Sequence, residues 1–428
     1  MRLFITPKSK KYWHVIINDT RNIVRAENYE AVATACIGYN DEIDVYADFH
    51  NIEKSRSVVS TTQQYIKYFK HYEEYKNVSY PGLDNYFENI QKVITSPTRY
   101  FSIDSVKKLV ENRPVVYCGA GPSIQEVLPE LKSLADAKRA VLVAGGSGIR
   151  VLLNAGIKPD IAIAIDPYKS EWDNVFAQIS PEMTSNTILI CKPDLEPRSF
   201  DLWRGPVVVG GGHDGLPGLA KIVDIPDFDC GLAGVSTAFM SLITQCCPFS
   251  IYLAGVDLCY GLAGEDAKHY ADSNEIKNSD SMIEAHGFNT RLLWIQESEI
   301  IAMLANKVNA RVFRLGSPGK VLPISNTEYI NTVTEYATLT DISIDEYCLT
   351  NILDIDSIKE RADNIIQYFI LNTPDVRKSS GFYTDRDFFL PWHKYQLSRK
   401  AQGFGYDTDF MRQVAENLLE NIERTFNV

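Results

Sequence analysis

The chain has 428 residues, 45% of them apolar and 23% charged, which is enough for two or three domains of ordinary globular composition. Its 43 basic and 55 acidic residues give a net charge of −12, which argues against a general nucleic-acid binder. No apolar run reaches the roughly 18 residues of a membrane span, and the opening MRLFITPKSKKYWHV has no apolar core of signal-peptide length.

Residues 1–95 read as a small α/β domain. MRLFITP, YWHVIIN and IDVYADF have the composition of short strands, and 28–36 that of a helix. In 61–76, Tyr65, Ile66, Phe69, Tyr72 and Tyr75 recur at helical spacing, which makes a packing face. Tyr80-Pro81-Gly82 breaks the pattern, 84–94 is read as a helix, and Ser96-Pro97-Thr98 marks a boundary.

Residues 96–325 form the second block. Apolar runs at 115–118, 140–144, 161–165, 187–191, 207–209, 250–254 and 311–315 are mostly uninterrupted, as in strands covered on both faces. Helical segments separate several of them. The expected fold is therefore α/β, a doubly wound, mostly parallel, Rossmann-like sheet, in which ligands bind beyond the carboxyl ends of the strands.

Glycines and polar residues gather at those ends. Gly119-Ala120-Gly121-Pro122-Ser123 follows the first run and leads into an amphipathic segment, 124–134. This reads as a strand, a glycine turn and a helix N-terminus able to face a nucleotide phosphate. Gly145-Gly146-Ser147-Gly148 follows the second run, Asp166 the third, Gly210-Gly211-Gly212-His213 the fifth, and Gly255-Val256-Asp257-Leu258-Cys259-Tyr260 the sixth. Asp166 is either a helix cap or a partner for a sugar hydroxyl. Ser236 and Thr237, after a glycine-rich run, are either N-caps of the helix 238–246 or phosphate ligands. Asp257 either bonds loop N–H groups or takes part in catalysis.

The eight cysteines lack CxxC spacing, so reduced thiols, a cytoplasmic location and no metal centre are expected. His269 and His286 both lie in the long polar stretch 261–289, whose length suggests a lid or binding loop. Histidine is the natural general base near neutral pH. A helix is expected at 291–308. Residues 326–428 read as a helical domain, with helices at 326–336, 357–371 and 409–426. The aromatic-rich interval 382–406 reads as a docking seam, a contact in a homo-oligomer, or an acceptor surface.

Three stretches carry a resemblance: VVYCGAGPSIQEVLPEL, AVLVAGGSGIRVLLNAGIKPDIAIAIDP and GLAGVSTAFMSLITQCCPFSIYLAGVDLCYG. In this order they resemble the central domain of the motility accessory factor flagellin glycosyltransferases, over roughly 112–320. The same block is similar to bacterial lipooligosaccharide sialyltransferases, a GT-A-variant type of fold. Those enzymes carry His-Ser-x-Asn-Thr before a helix, the histidine being the base; here the residues are His286-Gly287-Phe288-Asn289-Thr290, with glycine in place of serine.

The resemblance implies transfer of a nonulosonic acid from a CMP-sugar to a serine or threonine hydroxyl of flagellin or a similar protein. No cofactor or metal is then required. His286, with His269 and Asp257 behind it, would be catalytic. Gly119, Gly121, Pro122, Ser123, Ser147, Asp166, Gly211, Ser236, Thr237, Tyr260, Asn289 and Thr290 would line the donor site. Two other readings stand beside it. Pterin pyrophosphokinases also carry the Gly-x-Gly-Pro-Ser turn, and in that case Asp166 or Asp257 would hold magnesium. A non-catalytic, flagellin-binding scaffold is the third.

Overall fold

The computed structural model describes residues 2–6, 13–17, 22–26, 44–47, 77–210, 216–226, 228, 234–263, 283–317, 319, 321–335, 344–372 and 408–427. Contacts divide the chain into two units: 1–80 with 214–222 and 359–428, and 81–213 with 223–358.

The first unit contains a four-stranded sheet of β1 (Arg2–Thr6), β2 (Trp13–Ile17), β3 (Asn22–Ala26) and β4 (Asp44–Ala47), in the order β3-β2-β1-β4. β1 and β4 are parallel and the other pairs antiparallel. The three expected strands are β1, β2 and β4. β3 is additional: Asn22–Ala26 is too short and mixed to show periodicity, and it is fixed by its ladder to β2. The helices expected at 28–36 and 61–76 and the aromatic interval 382–406 lie outside the described residues.

The second unit is built on nine parallel strands. In chain order its elements are α1 (Pro81–Thr95), β5 (Tyr100–Phe101), α2 (Asp104–Val110), β6 (Pro114–Cys118), a 3₁₀ turn (Pro122–Glu126), α3 (Leu128–Asp136) and β7 (Val141–Gly145). Then come α4 (Ser147–Asn154), β8 (Ile161–Ala164), α5 (Lys169–Asn174), β9 (Ile188–Cys191), α6 (Pro197–Leu202) and β10 (Val207–Val209) and, after α7 (Ala220–Val223), nearly all of which belongs to the first unit, α8 (Val235–Ile243) and β11 (Ser250–Ala254). A small antiparallel sheet follows, of β12 (Gly261–Leu262), β13 (Ile283–Ala285) and β14 (Phe288–Thr290). The unit ends with α9 (Leu292–Lys307), β15 (Arg311–Leu315) and β16 (Glu328–Ile330). Beyond them lie α10 (Ile355–Asn372) and α11 (Thr408–Phe426).

The sheet order is β16-β15-β11-β6-β7-β8-β9-β10-β5. All seven expected runs are strands of it. β6, β7, β8, β9, β10 and β11 are buried along their whole length, which is why they read as unbroken apolar runs. Moving from β6 the chain adds β7 to β10 on one side, then places β11 and β15 on the other. The order therefore reverses between β6 and β11, the position where open α/β sheets bind their ligands.

Three local expectations are corrected. The segment after Pro122 is not one helix, because Pro129 in the first turn of α3 starts a new helix and leaves a separate 3₁₀ turn ahead of it. Residues 283–290 close the polar stretch as a hairpin rather than as loop. The helix expected at 326–336 is absent; β16 occupies 328–330, where Tyr329 and Ile330 suit a strand and pairing with β15 fixes it. Among the described residues no helix is long and apolar enough to cross a membrane.

Candidate functional site

The switch point brings the Gly119–Ser123 turn against the Gly255–Asp257 turn. Their backbones interlock: the Gly119 N–H donates to the Ala254 carbonyl at 2.8 Å, and the Gly121 N–H to the Gly255 carbonyl at 2.9 Å. Asp257 then reaches across. Its Oδ2 accepts from the Ser123 N–H at 2.9 Å, and its Oδ1 from the Ser123 hydroxyl. A side chain at Gly121 would collide with the Asp257 carboxylate, so glycine is required here by close approach.

Asp257 is 6% exposed, and burial pushes its pKa up although the Ser123 bonds and Arg314 pull the other way. Arg314 is also buried; it donates to the carbonyls of Leu322 and Val256, and the Leu322 N–H donates to the Asp257 carbonyl. Of the two readings of Asp257, these are the bonds of the structural one. They also show that the Ser123 N–H, expected to face a phosphate, is held by the chain's own carboxylate.

The second half of the crevice is formed by α8. Its start is tied to the sheet by the Tyr117 hydroxyl of β6, which donates to Ser236 Oγ at 3.3 Å. Ser236 and Thr237 are both buried. The Thr237 hydroxyl donates to the Gly234 carbonyl at 2.7 Å and accepts from the Gly234 N–H at 3.0 Å. The helix begins at Val235 with Gly234 as its N-cap, so Ser236 and Thr237 are not the N-caps expected but lie in its first turn, Thr237 reaching back from the third position. The Glu297 carboxylate, on α9, lies against Gly234 at the start of α8. It is 4% exposed, and a Cβ on Gly234 would stand 2.8 Å from its Oε1. Burial pushes the Glu297 pKa up to about 7, against the pull of the Arg291 charge and of the polar groups at the start of α8.

The other expected residues divide. Ser147 opens α4, beside the crevice, and is half-buried. Pro122 opens the 3₁₀ turn. Asp166 is exposed after β8 and faces Glu171 of α5, whose pKa is pushed up by burial and by the Asp166 charge. Tyr260 is buried, its ring 4.6 Å from that of Trp294, and its N–H donates to the Asn289 carbonyl. Thr290 Oγ1 donates to the Leu258 carbonyl at 2.7 Å, and Asn289 Nδ2 to the Leu262 carbonyl at 3.1 Å. The Asn-Thr pair thus fastens the β14 hairpin to the loop after β11. Gly211 and His269 lie outside the described residues.

His286 is exposed at the tip of that hairpin. It has φ 54° and Gly287 has φ 79°, so both central residues of the two-residue turn are left-handed, as a type I′ turn requires. Histidine is among the non-glycine residues that enter this region more readily than most.

Sequence reasoning missed Glu297, Tyr117, Arg314, Glu171 and Lys192. A signal existed for three. Glu297 falls on the apolar stripe Trp294, Ile301, Leu304 of α9, and Tyr117 and Arg314 sit inside buried parallel strands. Lys192, after β9, is 2% exposed with its ammonium 5.1 Å from the Phe228 ring centroid, and nothing in its local sequence marks it as buried.

Residues 84–262 match the family model described as 6-hydroxymethylpterin diphosphokinase MptE-like. A solved structure, the MAf glycosyltransferase from Magnetospirillum magneticum AMB-1, aligns with 93% of this chain at 14% identity and a TM-score of 0.48. The chain spans 65% of the length of that protein. No curated protein matches in sequence.

Proposed function

We propose that the chain is a glycosyltransferase that binds a CMP-linked nonulosonic acid over the β6/β11 switch point and passes the sugar to a serine or threonine hydroxyl of flagellin or a similar protein. The observation that carries this reading is the meeting of Gly119–Ser123 with Gly255–Asp257 at the reversal of strand order, with the first turn of α8 beside it. Departure of CMP needs its growing negative charge stabilised. The N–H groups of Ser236 and Thr237 and the Ser236 hydroxyl, with the Arg291 guanidinium nearby, are the donors for that task, and Ser147 adds a hydroxyl. The acceptor proton goes to His286 as general base.

The nucleotide is tested by a thermal-shift titration with CMP, CDP and ATP, each with and without magnesium. A ligand that binds only the folded protein raises its stability by about 2.7 kcal/mol at a hundred times its Kd. CMP is expected to stabilise without metal. Stabilisation by ATP with magnesium alone would overturn the reading.

The base is tested by His286→Asn. Asparagine is the favoured first residue of a type I′ Asn-Gly turn, so the hairpin and CMP affinity should be retained while transfer falls by about 10²–10⁴-fold. Unchanged turnover removes His286 as base. This substitution separates the chemical role from the turn role better than alanine, which disfavours a positive φ.

A second reading is favoured by the family-model description and by one pair of side chains. In a pterin diphosphokinase, Asp166 and Glu171 would hold magnesium, which would neutralise the transferred phosphates. Asp257 does not fit that role, since both its oxygens are bonded to Ser123. Formation of a pterin diphosphate from ATP, abolished by EDTA, is the result that would put this reading first.

A further inference from the structure

Four arginines among the described residues lie over aromatic rings: Arg198, Arg291, Arg311 and Arg314. Three of them also bond an oxygen. Arg198 pairs with Glu196, Arg311 with Glu328, and Arg314 donates to two carbonyls. Arg291 does not. Its guanidinium lies 4.1 Å from the Trp294 ring centroid, and no side-chain hydrogen bond or ion pair joins it to the described residues. Its Nε is shut off from solvent and has no acceptor, which costs free energy, more so for a charged group. The charge of Glu297 acts on it from further along α9 without forming an ion pair. Arg291 is also the N-cap of α9, where its side chain caps nothing and a cation meets the positive end of the helix dipole. The guanidinium is nonetheless held in place. Trp294 beneath it is 9% exposed and packs on the Tyr260 ring at 4.6 Å, and the Tyr260 N–H donates to the Asn289 carbonyl at 2.7 Å. The stack thus stands at the turn after β11, directly after the hairpin that carries His286.

We propose that Arg291 is an oxyanion-binding residue of the donor site: its terminal nitrogens take two oxygens of one anionic group of the nucleotide sugar, the phosphate or the sugar carboxylate. The proposal rests on the nucleotide reading given above and deepens it. Phosphate and carboxylate present the same forked pair of acceptors to a guanidinium. Stacking on Trp294 fixes the plane of the fork before the ligand arrives, so little side-chain freedom is lost on binding. An anion there also offsets a cation that the chain itself leaves unpaired. Lysine at this position would keep the charge but neither the fork nor the plane.

The experiment is calorimetric binding of cytidine, CMP and CMP-N-acetylneuraminate to the full chain, to Arg291→Gln and to Arg291→Lys. Cytidine has neither anionic group, CMP has the phosphate, and the nucleotide sugar has both. A loss of about 10- to 100-fold in CMP affinity in Arg291→Gln, with cytidine unchanged, assigns the guanidinium to the phosphate. The same loss for CMP-N-acetylneuraminate, with CMP and cytidine unchanged, assigns it to the sugar carboxylate. Arg291→Lys should lose part of the affinity for the same ligand, and its cytidine affinity shows an intact nucleoside site even if the glutamine variant fails to fold. Equal losses for all three ligands, or no loss for any, overturn the proposal and leave the nucleotide reading standing; Arg291 then serves only to cover Trp294. No binding of any of the three by the unmodified protein overturns both.

Discussion

Asp257→Ala is expected to destabilise the nine-stranded unit by about 2–4 kcal/mol, read as a lower denaturant midpoint. The carboxylate is 6% exposed and answers two groups of the Gly119–Ser123 turn at once, the Ser123 N–H and hydroxyl. Removal leaves a half-buried backbone donor without its partner, which costs up to about 1–3 kcal/mol. It also removes the negative charge near Arg314, whose own burial works against its charge. Asp257→Asn keeps the volume and one acceptor, and should cost about 1 kcal/mol. Ser123→Ala removes the hydroxyl but not the N–H bond and should fall in the same small range. If Asp257→Ala and Ser123→Ala prove equal, the backbone bond and the Arg314 field contribute nothing and this account of the switch point fails. Loss of CMP binding in Asp257→Ala with an unchanged midpoint would instead make Asp257 a ligand residue.

How much of this was legible depends on what each signal measures. Strands buried on both faces announce themselves, because burial itself forces an apolar run; hence all seven expected runs of the large sheet are strands. β5 and β16 were not legible. Tyr100–Phe101 is two residues long, and Glu328–Ile330 is an edge strand whose residues range from exposed to half-buried. Pairing, not composition, creates both. The glycine turn stands at the end of β6, as its sequence indicates, but the sequence shows donors and not which of them, the Ser123 N–H and hydroxyl, are already taken. Asp257 lies 134 residues from Ser123, and no local pattern joins them. The turn at His286-Gly287 was open to a different inference, since a residue followed by glycine between two short β-type runs is a hairpin signal as well as a motif fragment.

Glu297 gives the second large effect. Its pKa is about 7 in the folded protein against about 4.5 as an ordinary glutamate. A folded value above the unfolded one means that the native state keeps a proton the unfolded chain has released. The associated stability is complete below pH 4.5 and is lost as the pH rises to 7; the difference amounts to about 3 kcal/mol. Glutamine mimics the protonated form at every pH. Glu297→Gln should therefore match the unmodified protein near pH 4.5 and exceed it by about 3 kcal/mol at pH 8, as measured by denaturant unfolding at both values. A neutral replacement that stabilises is the unusual expectation. A variant weaker than the unmodified protein at pH 8 would mean that the attraction of Arg291 and of the start of α8 for the carboxylate outweighs desolvation, and the charge would then be favourable. A stabilised variant would mean the chain retains an ionisable group in a position that lowers its stability at neutral pH.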